Sequence, residues 1–233
     1  MAIRTVFLDA GGVLVFPNWS RVSETLARRG VMVPAATLAA ADPLGKKRLD
    51  RGENVQATND QQRGWTYFNL VLSEAGVGLS TATADALAEL NEYHQTSNLW
   101  ETVPDDVRPA LAALRQRGYR LVVVSNANGR LRHLFERVGL VDAVDALFDS
   151  CDEGVEKPDP RFFNIALERT GSTPETTVHV GDLYYVDVVG ARAAGIQPVL
   201  LDVANLYEGC DCPRVRSLDG LIEFLEESRR APA

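Results

Sequence analysis

Asp9 closes the apolar run VFLD near the head of the chain, Ser125 and Asn126 close RLVVVSN, and Asp182 closes VHVGD, with Asp187 five residues further on. Lys157 stands in the polar stretch EGVEKPDP. A carboxylate nucleophile, a hydroxyl, an ammonium group and a pair of acids brought to one edge make a site for displacing a group from phosphorus. A phosphate repels an incoming carboxylate unless a cation and hydrogen-bond donors neutralise both. Asp9 and Asp182 offer the hard oxygen ligands that Mg²⁺ takes while keeping several waters. Taken singly, each residue has an ordinary structural reading: a turn or cap for Asp9 and Ser125-Asn126, a solvated side chain for Lys157, a helix-dipole partner for Asp182 and Asp187. Their common placement at strand ends is what favours the chemical reading.

The elements that must position them follow from periodicity. From Pro104 onward, helical patterns over 105–117, 129–138, 159–170 and 185–194 alternate with strands over 119–125, 145–150, 176–182 and 197–202. A closing helix is expected over 217–230. Such alternation builds βαβ units and an α/β parallel sheet, in which ligands bind outside the carboxyl ends of the strands, where the chain order reverses. Between the first strand and the second lies an insertion that reads as helical. NWSRVSETLARRG, NDQQRGWTYFNLVLSEAG and STATADALAELNEYHQ each repeat apolar residues at three and four positions, with Asn18 and Ser80 as N-caps. PAATLAAADPLGKKRLDRG is expected to be helical in part, broken at Pro43 and Gly45, and Pro17 and Pro104 bracket the insertion.

Composition narrows the function classes. With 233 residues, 45% of them hydrophobic, the chain can bury a real core. A net charge of -8 argues against wrapping a nucleic-acid backbone, and no stretch reaches the length of a membrane span. Small molecules are the expected partners and the cytoplasm the expected location, with the oligomeric state left open. Of 24 basic residues only Lys46, Lys47 and Lys157 are lysines, which makes Lys157 a little more informative. Cys151, Cys210 and Cys212 are too few for a disulfide framework, and Cys210-Asp211-Cys212 lacks zinc-knuckle spacing, so both are read as loop thiols. His179 is expected inside a strand as a core residue, His94 and His133 on helix surfaces.

With those residues in view, the sequence resembles the haloacid dehalogenase superfamily, mostly Mg²⁺-dependent phosphatases, over nearly its whole length. FLDAGGVLV is similar to the first motif, VVVSNANG to the second, EKPDPRFF to the third and VGDLYYVDVVGARAAG to the fourth. The resemblance implies a Rossmann-like doubly wound parallel sheet, residues 1–16 and 104–233, with an inserted α-helical cap of the C1 type over 17–103. It implies catalytic roles for Asp9, Ser125 and Lys157, and phosphate contacts from Ala10, Gly11, Ser125, Asn126 and Lys157. Mg²⁺ would be held by Asp9, the Gly11 carbonyl, Asp182 and Asp187, and the substrate would be a small phosphorylated metabolite.

One position departs from the pattern. Family phosphatases carry a second aspartate two residues after the nucleophile, the acid/base for the leaving group, and here that residue is Gly11. The chain is then a phosphatase that is slow or acts on easily departing groups; or a phosphonate hydrolase using Lys46 or Lys47 as a Schiff base, with a haloacid hydrolase as a remoter variant; or a catalytically impaired phosphate-binding protein. Arg48, Arg51, Trp65 and Tyr67 are candidate substrate contacts in the cap, each with surface or cap core as its ordinary alternative.

Overall fold

Thr5–Leu8 (β1) is buried along its whole length, as a strand covered on both faces must be. In the computed structural model, which describes residues 2–230, the chain leaves β1 for five helices: α1 (Trp19–Ala27), α2 (Ala35–Leu49), α3 (Gly52–Ala57), α4 (Asp60–Glu74) and α5 (Thr81–Ser97). It then alternates through α6 (Val107–Gln116), β2 (Arg120–Ser125), α7 (Leu131–Arg137), β3 (Ala146–Asp149), α8 (Ser150–Glu153), α9 (Pro160–Thr170), β4 (Thr177–Gly181), α10 (Val189–Ala193), β5 (Gln197–Leu201), β6 (Arg214–Val215) and α11 (Leu218–Arg230). Two compact units result, Met1–Phe16 with Val103–Ala233, and Pro17–Thr102.

In the α/β unit the six strands are all parallel in the order β3-β2-β1-β4-β5-β6. This is the Rossmann-like α/β sheet that the alternation of elements predicts. β1 pairs with β2 on one side and β4 on the other, so chain order reverses around β1. That reversal opens a crevice at the carboxyl ends, beside Asp9 and Asp182. Phe7, Val122, Val124, Phe162 and Phe163 fill the core on one face.

At the carboxyl end of β5 the buried Asp202 accepts from the main-chain N–H groups of Leu206 (2.8 Å) and Tyr207 (2.9 Å) and from Arg214 Nη1 (2.8 Å). Burial alone would raise its pKa, but the two N–H groups and the Arg214 guanidinium hold it below the usual carboxylate value. A depressed folded pKa adds stability that is present above the unfolded value, near 4, and is lost as pH falls through the folded one. Asp202→Asn therefore costs about 1–3 kcal/mol at neutral pH. Chemical unfolding of both proteins from pH 7 to pH 3 checks this: the gap between them narrows below about pH 4.

The helical unit packs α1, α2, α4 and α5 around Val22, Leu26, Leu38, Phe68, Val71, Leu72, Ala86 and Leu90. Trp19, Tyr67, Phe68 and Trp100 meet in tilted and edge contacts at 5.0 to 6.3 Å. Asn18 and Ser80 cap α1 and α5 through their side chains. The break expected at Pro43 and Gly45 does not occur: α2 runs unbroken through both. Gly45 lies against α4, where an added Cβ would stand 2.6 Å from Val71 Cγ2. That close packing offsets the hydrogen bond lost at Pro43. His94, expected at the surface, is half-buried instead; α5 continues to Ser97, and the ring accepts the Leu99 N–H on Nδ1 and packs edge-on against Trp100.

Of the candidate cap contacts, Tyr67 belongs to the unit's core, its hydroxyl donating to the buried Asp42 at 2.7 Å. Trp65 stacks on Phe68, Arg48 pairs with Glu74, and Arg51 is an exposed residue preceding α3. Lys46 pairs with Asp42 one turn back on α2.

Candidate active site

Asp9 follows β1 at the start of a tight turn. The Ala10 N–H donates to Asp9 Oδ1 at 2.8 Å, while the Ala10 carbonyl accepts from Leu14 and Val15. The left-handed conformation that reverses the chain falls on Gly12, at φ 76°, where a side chain would be strained. Gly11 forms an isolated bridge with Val15.

Lys157 is wholly buried, and its Nζ sits 3.0 Å from Asp9 Oδ1 and 2.7 Å from Asp187 Oδ1. Burial works to lower its pKa, but the Asp187 and Asp9 carboxylates outweigh burial and hold it above the usual lysine value. It is therefore a permanent cation. Its main chain is fixed by Asn126, whose Oδ1 accepts the Lys157 N–H (2.8 Å) and whose Nδ2 donates to the Lys157 carbonyl (3.0 Å). Ser125 is buried at the end of β2, next to the strand that ends at Asp9, and its hydroxyl donates to the Asn126 carbonyl at 3.4 Å.

Asp187 lies in a π-helical turn, Tyr184–Val188, inserted ahead of α10 where the sequence suggests an ordinary helix start. Single wider turns of this kind are frequent at functional sites. Here Asp187 points back under β4, so close to Gly181 that a Cβ there would lie 2.0 Å from Asp187 Cγ. Its Oδ1 takes Lys157 and His179 Nε2 (2.9 Å), and its Oδ2 takes the Leu183 N–H (3.0 Å). Burial opposes ionisation, yet Lys157 and His179 keep Asp187 well below the usual carboxylate range. His179 itself is held neutral by burial.

Sequence reasoning placed His179 in the core but did not foresee its bond to Asp187, because the partners are eight residues apart on different elements. It also missed Asp149 and Ser150 at the end of β3. Asp149 accepts from the N–H groups of Leu131 and Cys151, and Ser150 Oγ accepts from Ala127 N–H, so together they fix the loop that follows Ser125. An acid and a hydroxyl at a fourth strand end were the available signal.

Asp9, Asp182 and Asp187 each present a carboxylate oxygen within 4.8 Å of the others. Three acids against one lysine leave an excess of negative charge; burial and the Asp187 charge raise the Asp9 pKa despite Lys157. Hard oxygen donors with surplus charge fit a small divalent cation such as Mg²⁺. Among the described residues no helix is long and apolar enough to cross a membrane.

A doubly wound parallel sheet with an acidic cluster and a buried lysine at its reversal point defines a Rossmann-like α/β enzyme core. A family model described as haloacid dehalogenase-like hydrolase matches residues 3–195, and the chain belongs to that family. Haloacid dehalogenase-like hydrolase domain-containing protein 3 of Bos taurus is 35% identical over 55% of this chain and 51% of its own length, so the chain spans about half of that relative. A glyceraldehyde 3-phosphate phosphatase of Methanopyrus kandleri is 32% identical over 84% of this chain and 83% of its own. The crystal structure of the HAD-hydrolase YfnB from Bacillus subtilis bound to magnesium shares the fold at a TM-score of 0.67, with 19% identity over 97% of this chain and 99% of that one.

Proposed function

We propose that the chain is a Mg²⁺-dependent phosphohydrolase that cleaves a small phosphorylated metabolite through an aspartyl-phosphate on Asp9. The observation that carries this reading is the Asp9 carboxylate held by Lys157 Nζ at 3.0 Å and by the Ala10 N–H at 2.8 Å. An aspartate that served only as a turn cap would need no buried lysine. The likeness to a glyceraldehyde 3-phosphate phosphatase over most of both chains supports the substrate class.

Asp9, Asp182 and the Gly11 carbonyl would hold Mg²⁺, which when bound neutralises the charge that would otherwise keep carboxylate and phosphate apart. Asp187, with both oxygens already accepting protein hydrogen bonds, keeps Lys157 aimed at Asp9 and lends its charge to the cluster. Ser125 and Lys157 donate to the phosphate oxygens, stabilising the charge that spreads over them at the transition state. Asp9 attacks phosphorus, the alcohol departs, and water then cleaves the acyl-phosphate. Gly11 offers no side-chain acid to either step, so proton transfer falls to solvent or to the substrate. The helical unit is assigned as the C1-type cap domain from its place between the first two motifs.

A screen of phosphorylated metabolites with Mg²⁺ tests the reading. Phosphate release is expected from small sugar or triose phosphates, and EDTA is expected to remove it entirely, with activity returning when Mg²⁺ is restored. Full activity in EDTA with metal-stripped protein would overturn the mechanism.

A further inference from the structure

The loop between β5 and β6 holds Cys210-Asp211-Cys212, a group of side chains that the hydrolytic site does not use. The two sulfurs stand 3.4 Å apart, and both side chains are half-buried. Their flanks pack against Val188, Leu200 and Tyr207. The residue between them is clamped from outside the loop. Tyr184 Oη donates to Asp211 Oδ1 at 2.6 Å, Arg192 Nη1 donates to Asp211 Oδ2 at 2.9 Å, and Arg192 Nη2 donates to the Asp211 carbonyl. Tyr184 opens the π-helical turn that carries Asp187. A zinc site would need further ligands, and the other cysteine, Cys151, lies in α8. Among the described residues the two thiols belong to no cluster of metal ligands, which suits two-electron thiol chemistry instead.

We propose that Cys210 and Cys212 form a reversible dithiol–disulfide site, oxidised by a small disulfide of the glutathione type, whose closure loosens the Asp211 clamp on Tyr184. The two sulfurs are close enough for either to begin the exchange and the other to complete it. One of the two, as the thiolate, attacks one sulfur of the oxidised glutathione, that S–S bond breaks, and one glutathione leaves and takes up a proton. The other cysteine then gives up its proton as it attacks the first cysteine's sulfur in the mixed disulfide, and the second glutathione leaves with that proton. Two electrons have passed from the cysteines to glutathione. Bonding draws the sulfurs from 3.4 Å to about 2.05 Å and closes a small ring that has Asp211 as its one linking residue.

The test uses the full chain in glutathione buffers of increasing oxidation, quenched by alkylation and digested with trypsin. The peptide 193–214, which holds both cysteines, is expected to lose two hydrogens and to regain them with dithiothreitol. Cys210→Ser and Cys212→Ser are each expected to take up one glutathione on the remaining sulfur. Hydrogen exchange over Tyr184–Val188 is expected to quicken severalfold in the oxidised protein and to recover on reduction. Neither readout depends on the hydrolytic reaction. A peptide that keeps two alkylatable thiols, carries two glutathiones, or is linked to a second copy of the chain would overturn the site. Ring closure with unchanged exchange over Tyr184–Val188 would overturn the clamp.

Discussion

Asp9→Asn is expected to lower phosphate release by about 10⁴-fold or more, because an amide cannot form the acyl-phosphate and nothing else at the site replaces it. The fold should survive the change. Burial and the neighbouring Asp187 raise the Asp9 pKa even with Lys157 at 3.0 Å, so the ionised carboxylate costs stability at neutral pH when no cation is bound. The thermal midpoint of Asp9→Asn in EDTA is therefore expected to equal or exceed that of the wild type. Phosphate release under saturating Mg²⁺ and calorimetry in EDTA measure the two halves separately. Turnover retained in Asp9→Asn would move the nucleophile elsewhere; turnover lost together with a collapsed midpoint would make Asp9 a structural residue.

Gly11→Asp is expected to raise turnover on alkyl phosphates by about 10²- to 10⁴-fold, the usual worth of a positioned acid/base, and to change acyl phosphates far less. An alkoxide must be protonated as it leaves, whereas an acyl or aryl phosphate departs without help. The backbone permits the substitution, since the left-handed residue of the turn is Gly12 and not Gly11. A leaving-group series on the wild type and the variant reads the difference as a change of slope. A wild type inert even to acyl phosphates, with a variant equally inert, would point to a phosphate-binding protein. A wild type already fast on alkyl phosphates would mean that another group supplies the proton.

The order of chemistry-bearing residues along the chain was legible from the sequence because a parallel sheet puts every strand's carboxyl end on the same edge. Once the alternation from Pro104 onward implies such a sheet, Asp9, Ser125 and Asp182 must share that edge, whatever their separation in the chain. Local signals also sufficed for the caps at Asn18 and Ser80, whose side chains satisfy N–H groups three residues on.

Burial and pairing between distant elements were decided by tertiary structure alone. Nothing in EGVEKPDP marks Lys157 as buried, and its cost of desolvation is offset chiefly by Asp187, which the π-helical turn brings to 2.7 Å from its Nζ. The π-helical turn reads as ordinary helix in the sequence, since one extra residue in a turn leaves the apolar spacing nearly unchanged. Pro43 and Gly45 read as breakers because propensity is local, while the approach of α4 to Gly45 that keeps α2 whole is not. Thus the sequence determined which side chains reach the sheet's edge, through backbone periodicity that each segment carries in itself. Their protonation and aim were left to the tertiary structure, because those depend on charges and contacts that only the folded chain brings within a few ångströms.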